Sequence, residues 1–199
     1  KFKKNEAIVT DIGSVKTDVL KSSSKFLTNS DQCFMGSHPL AGKEKSTINN
    51  YDKNLYTNAI VLLTPIAKTN KKIKVKISKF WLSLNCKILI IEPKLHDLVM
   101  SQTSHLPHLV SFALVNIILN SKSIMNIKEY TGGGFKDFAR LAHSDSLMWK
   151  DICLSNKKNI ADSIALLIKE LQNIKTKISK SDDALLKYLQ QTKVKLNKK

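Results

Sequence analysis

Ala59-Ile60-Val61-Leu62-Leu63-Thr64-Pro65, then Lys72 to Leu84, then Lys87-Ile88-Leu89-Ile90-Ile91 closed by Glu92-Pro93, is the stretch that decides the fold. The outer segments are short continuous apolar runs, which is how a buried strand reads. The middle one places Ile73, Ile77, Phe80, Trp81 and Leu84 on one helical face. Upstream the same grammar recurs. Ala7-Ile8-Val9-Thr10 enters a turn at Asp11-Ile12-Gly13-Ser14, and Ser14 reads as the N-cap of a helix from Val15 to about Leu27. Phe34-Met35-Gly36-Ser37 is a further short strand, and the polar stretch from Lys43 to Asn58 reads as a mobile loop.

Apolar strands alternating with amphipathic helices imply a parallel sheet covered on both faces. Beyond Pro93 no strand-like run recurs. Helices are expected from His96 to Asn120 with a kink at Pro107, from Phe135 to His143, from Asp145 to Ile178 and from Asp182 to Leu196. The expected division is therefore an α/β part over residues 1–92 and an all-helical part over 93–199. A hydrophobic helical half of this length is expected to bury its surplus face against a second copy.

The chain has 199 residues, of which 42% are hydrophobic and 25% charged, a globular profile long enough for a real core. Its three cysteines show no paired spacing, which argues against a disulfide framework or zinc ribbon and for a reducing cytoplasm. The longest apolar run, Leu109 to Leu119, contains Ser111 and Asn116 and falls short of the ~20 residues of a membrane span. Lys1-Phe2-Lys3-Lys4 is followed by Asn5-Glu6 and does not read as a signal peptide. The start without Met is expected to reflect processing or a longer polypeptide.

Lys+Arg 33 against Asp+Glu 16 gives a net charge of +17. Taken alone that suggests nucleic acid or an anionic membrane. Arg140, however, is the only arginine, and the lysines are scattered among Ile and Asn, as a drift towards AT-rich codons would leave them. Base edges and phosphates are usually read by arginine forks, so no nucleic-acid partner is expected. The one arginine then marks a place where lysine does not serve.

Four clusters carry chemistry. Thr10-Asp11-Ile12-Gly13-Ser14-Val15-Lys16 puts a helix start at a strand end, where backbone N–H groups attract anions; by itself it is equally an ordinary strand–helix connection. Gly36-Ser37-His38-Pro39-Leu40-Ala41-Gly42 presents a histidine at a strand end, a base near neutral pH or simply an exposed side chain. In Ser104-His105-Leu106-Pro107-His108 two histidines share a helix face. With no intervening Glu and no third ligand, they read as substrate contacts and not as a metal site. Gly132-Gly133-Gly134-Phe135-Lys136-Asp137-Phe138-Ala139-Arg140 offers glycines for close backbone approach, then an arginine able to clamp a carboxylate; read singly it is a helix behind a hinge.

In this order, with His96-Asp97 ahead of the third cluster and Trp149 after the fourth, they resemble the prephenate dehydrogenase family, which includes arogenate dehydrogenases. The resemblance covers most of residues 7 to 155. It implies an incomplete Rossmann-like α/β part followed by an all-α dimerisation domain, with NAD or NADP as cofactor and prephenate or arogenate as substrate. On it, His38 and Ser14 are catalytic, Ser104, His105, His108, Arg140 and Trp149 bind substrate, and Asp11, Gly13, Ser37 and Pro39 lie on the cofactor side. No metal is implied. Lys43 before Glu44 departs from the small hydroxyl residue usual in the family. The glycine-rich phosphate turn and the acidic ribose ligand are not found ahead of Thr10-Asp11. An N-terminally shortened member is therefore expected, with cofactor binding weakened. The competing expectation is a catalytically impaired remnant that dimerises or binds ligand only.

Overall fold

A computed structural model of the chain describes residues 7–27, 29, 32–42, 52–121, 127–180 and 182–198. Val9–Thr10 forms β1, Thr17–Phe26 α1, Phe34–Pro39 β2, Ile60–Thr64 β3, Lys71–Ser83 α2 and Lys87–Ile90 β4. The deciding stretch is thus strand, helix, strand. Asn70 caps α2 by accepting the Lys72 amide at 2.8 Å, and Asn85, at a φ of 59°, turns the chain towards β4 in the left-handed conformation that asparagine tolerates.

The sheet order is β1-β2-β3-β4. β1 and β2 run parallel, as do β3 and β4, but β2 and β3 are antiparallel, with His38 opposite Leu62. This corrects the expectation of a parallel sheet throughout. An antiparallel neighbour needs no crossover helix, and the pairing continues to the Leu40 amide, which donates to the Ile60 carbonyl at 2.7 Å. Apolar runs do not report strand direction. A second correction concerns β4: it is an edge strand, with Leu89 and Ile90 more than half exposed, so the sheet is not covered on both faces there. The proposed loop from Lys43 to Asn58 falls largely outside the described residues, as do Lys43 and Glu44.

Met35, Val61 and Leu63 pack against Ile73, Ile77 and Trp81 of α2, forming the core of the α/β part. Each such side chain contributes on the order of 1.5–3 kcal/mol by burial. Gly36 is required where β2 meets β3. It faces Thr64, and a Cβ at position 36 would overlap the Thr64 Oγ1. Gly36→Ala is expected to destabilise the chain by about 1–3 kcal/mol, as overpacking does. Adding Thr64→Ala should recover most of that loss in urea unfolding. No recovery would place the strain elsewhere.

The helices continue with α3 (Pro93–Met100), a π-helical turn (Ser101–His105), α4 (Leu106–Leu119), a 3-10 turn (Ile127–Tyr130), α5 (Gly133–Ala142), α6 (Ser146–Ser155), α7 (Lys157–Lys180) and α8 (Asp182–Asn197). One expectation is refined and one corrected. At Pro107 the helix widens into a π turn just ahead of the proline, which accommodates the missing N–H. The helix expected over Asp145–Ile178 breaks at Asn156, a buried residue whose side chain is engaged elsewhere. The chain forms two compact units, Lys1–Ile160 and Ala161–Lys199. The change to all-helical character at residue 92 lies inside the first. Within the second, the Lys177 ammonium sits 5.9 Å over the Tyr188 ring. Among the described residues no helix is long and apolar enough to cross a membrane.

Candidate active site

Because β1 and β2 are parallel, their C-terminal ends emerge at the same edge of the sheet. There, Ser14, His38 and Pro39 face Ser104, His105, His108, Arg140 and Trp149 across a cavity of about 590 Å³. Eight of the eleven expected site residues thus come together, with Met100, Leu141 and Ile152 as apolar wall. Asp11, Gly13 and Ser37 are not in the lining.

His38 sits on β2 and is 9% exposed. Its Nδ1 lies 2.9 Å from His96 Nε2, and His96 Nδ1 lies 2.8 Å from Asp97 Oδ1. The same carboxylate accepts the backbone amides of Lys16 at 2.7 Å and Thr17 at 2.9 Å. The anion at the start of α1 is therefore Asp97, supplied from α3 across the fold. That corrects Ser14 as N-cap: the cap position is Lys16, whose side chain makes no cap bond. Sequence-local capping rules cannot find a carboxylate 81 residues away.

The electrostatics follow. Burial, reinforced by the neighbouring His96, Lys16 and His105, lowers the His38 pKa from 6.5 to about 3, so His38 is neutral at physiological pH. Burial alone would raise the Asp97 pKa, but hydrogen bonds from His96, the Thr17 hydroxyl and the Lys16 and Thr17 amides hold it below the ordinary carboxylate value. Lys16 is fully buried. Its ammonium donates to the Asp11 carboxylate and, at 2.7 Å, to the Ser37 carbonyl, which fixes the strand leading into His38. Asp11 also accepts the Gly13 and Ser37 amides at 2.9 and 3.1 Å. Ser37 is fully buried, its hydroxyl 2.7 Å from Thr10 Oγ1 and accepting Trp81 Nε1–H at 3.1 Å. Asp11 and Ser37 therefore spend their side chains inside the fold.

On the helical side, His105 ends the π turn and His108 lies in the first turn of α4. Asn156 donates to the Asp97 carbonyl at 2.7 Å and lies 3.3 Å from His105 Nδ1. With Nδ1 accepting, the His105 proton resides on Nε2, a buried atom with no partner among the described residues. Burial lowers the His105 pKa to about 4, so this ring too is neutral. Trp149 stacks on His108 with centroids 4.1 Å apart, and its own Nε1–H is likewise buried and unpartnered. Arg140 stands in the last turn of α5. The Ser111 hydroxyl, donating to the Phe138 carbonyl, ties that helix to α4.

The residues that sequence reading missed as site residues are Lys16, His96, Asp97 and Asn156. The adjacent His96-Asp97 pair was the available signal. For Asn156 there was none. The glycine triplet does not serve close approach within the fold: a Cβ at Gly132, Gly133 or Gly134 would meet nothing within 4 Å. Among the described residues no group of three or more His, Cys, Asp or Glu could hold a metal ion.

Residues 2–90 match the prephenate dehydrogenase nucleotide-binding domain and residues 92–191 the prephenate dehydrogenase dimerization domain. The chain is 34% identical over 191 residues to a prephenate dehydrogenase of Bacillus subtilis, a match covering 95% of this chain and 51% of that protein. It is 32% identical over 192 residues to a cyclohexadienyl dehydrogenase of Zymomonas mobilis, covering 95% of this chain and 65% of that one. A prephenate dehydrogenase from A. aeolicus, solved with hydroxyphenyl propionate and NAD+, superposes with a TM-score of 0.89 at 38% identity, covering 98% of this chain and 68% of its own. Synechocystis arogenate dehydrogenase gives 0.81 at 29% identity, covering 96% and 69%. The chain spans about half the length of its Bacillus and Lactococcus relatives.

Proposed function

The chain belongs to the prephenate dehydrogenase family, and from that premise we propose that its site serves the oxidative decarboxylation of prephenate to 4-hydroxyphenylpyruvate. The observation that carries this reading is the cavity's polarity. A neutral His38 offers a hydrogen-bond acceptor on one side, while buried, unpartnered N–H groups of His105 and Trp149 and the Arg140 guanidinium stand on the other. A ring hydroxyl opposite carboxylates matches that pattern.

The cofactor we assign is a nicotinamide dinucleotide, which supplies a hydride acceptor when bound. The strand-end wall at Ser14, Pro39 and Ala41 fits the nicotinamide end beside His38. The pyrophosphate end does not fit the residues present, since none of the six glycines stands in a G-x-G-x-x-G turn after a strand. Of the four residues expected on the cofactor side, Pro39 lines the cavity and Gly13 lies at the turn beside it. His38 would take the hydroxyl proton as the ring C–H hydrogen leaves with its electron pair as hydride. The C–CO2 bond electrons then enter the ring and carbon dioxide leaves; the phenolate oxygen so formed takes the proton back from His38, and aromatisation drives the step. Ser14 orients the hydroxyl, Arg140 holds a carboxylate as a bidentate pair, and Trp149 with His108 shapes the ring pocket.

In a thermal-shift titration, prephenate is expected to raise Tm in a concentration-dependent way. Arg140→Ala should weaken apparent affinity roughly 10- to 100-fold, the worth of one charge-assisted hydrogen bond pair. No shift in folded wild-type chain would overturn the reading. The length of the match favours one second reading, a part that binds ligand but does not turn it over. Prephenate binding without NADH formation would select it. We further propose a cytoplasmic homodimer through the helical half, whose Ile117, Leu119, Leu166 and Ile178 are half or more exposed.

A further inference from the structure

We propose that His96 and Asp97 are positioning residues that hold His38 in its Nδ1–H tautomer, leaving Nε2 as the ring's only lone-pair nitrogen. The inference deepens the dehydrogenase reading, on which it rests only for the identity of the hydroxyl that His38 receives. Both Asp97 oxygens already accept backbone N–H groups at the start of α1, where the helix dipole favours an anion. A carboxylate has no proton to give, so at the 2.8 Å contact His96 Nδ1 is the donor. A neutral His96 then has only a lone pair on Nε2. His38 Nδ1, 2.9 Å away, must supply the proton of that bond. The tautomer of His38 is thus written in a chain of two hydrogen bonds ending on a capped helix. Free histidine favours the opposite, Nε2–H form, which would point a donor at the cavity and could not take a hydroxyl proton. The competing arrangement gives His96 both protons; it would then donate to His38 Nδ1 and leave the His38 proton on Nε2, the opposite tautomer.

The test is a long-range proton–nitrogen correlation spectrum of the full chain labelled with 15N-histidine, its five histidines assigned by single substitutions. The expected result at neutral pH is a protonated Nδ1 and an unprotonated Nε2 for His38. His96→Phe should return His38 to the Nε2–H form. His96→Gln, whose amide oxygen can reach the old Nε2 position, should restore Nδ1–H. A wild-type His38 carrying its proton on Nε2 would overturn the proposal, even if His96→Phe fails to fold. Prephenate thermal shifts on the same samples separate the two claims: correct tautomers with no shift leave the positioning intact and sink the substrate.

Discussion

Replacing Lys16 with methionine is expected to lower stability by about 3 kcal/mol, the largest effect of any single change considered. Methionine retains most of the stem volume, so the loss is electrostatic and not a cavity. The fully buried ammonium is removed from the Asp11 carboxylate and from the Ser37 carbonyl. Burial pushes the Lys16 pKa down against the pull of Asp11, so a desolvation cost opposes the pair. Taking away one partner leaves that cost on the other. For a chain of this size the change corresponds to a fall in Tm of roughly 6–12 °C. Coupling Lys16→Met with Asp11→Asn should recover part of the loss, because the stranded carboxylate disappears too. Urea denaturation of the two single variants, the double and the wild type completes the cycle. Strictly additive losses would show that the two groups do not act as a pair.

Acid is expected to destabilise the chain well before its carboxylates titrate. His38 and His105 have folded pKa values of about 3 and about 4, both below the ordinary 6.5. The unfolded chain therefore binds protons that the folded chain refuses. Their contribution is complete above about pH 6.5 and is lost as pH falls towards the folded values. Between pH 7 and pH 5 the two together cost roughly 3–4 kcal/mol. Asp97 adds to this only further down, since its lowered pKa contributes stability that is lost below the usual carboxylate range. The check is the urea midpoint at the two pH values. It should drop steeply in the wild type and much less in a His38→Gln, His105→Gln double variant. A wild-type midpoint that does not move would mean these rings are charged in the folded chain.

Much of the architecture was legible because it is written in periodicity. The deciding strand–helix–strand was found to within a residue or two at each end. What escaped was pairing direction and layer. An apolar run such as Lys87-Ile88-Leu89-Ile90-Ile91 looks the same in the middle of a sheet as at its edge, and the antiparallel step between β2 and β3 leaves no mark on either strand. The residues of the cavity were readable as isolated types in four short clusters, and the fold gathers eight of them around one space. The supports behind them were not. Lys16 is one lysine among many, and Asn156 falls inside a stretch that reads as one continuous helix. Their roles exist only once Asp97 meets α1 across the fold.

That meeting gives one carboxylate two duties, closing the first turn of α1 and bracing the His96–His38 pair. Withdrawal of Asp97 releases both at once. It frees the Lys16 and Thr17 amides to trade their hydrogen for deuterium and takes the brace from His96. The exchange of those two amides therefore sets an upper limit on how often the His96–His38 pair stands unsupported.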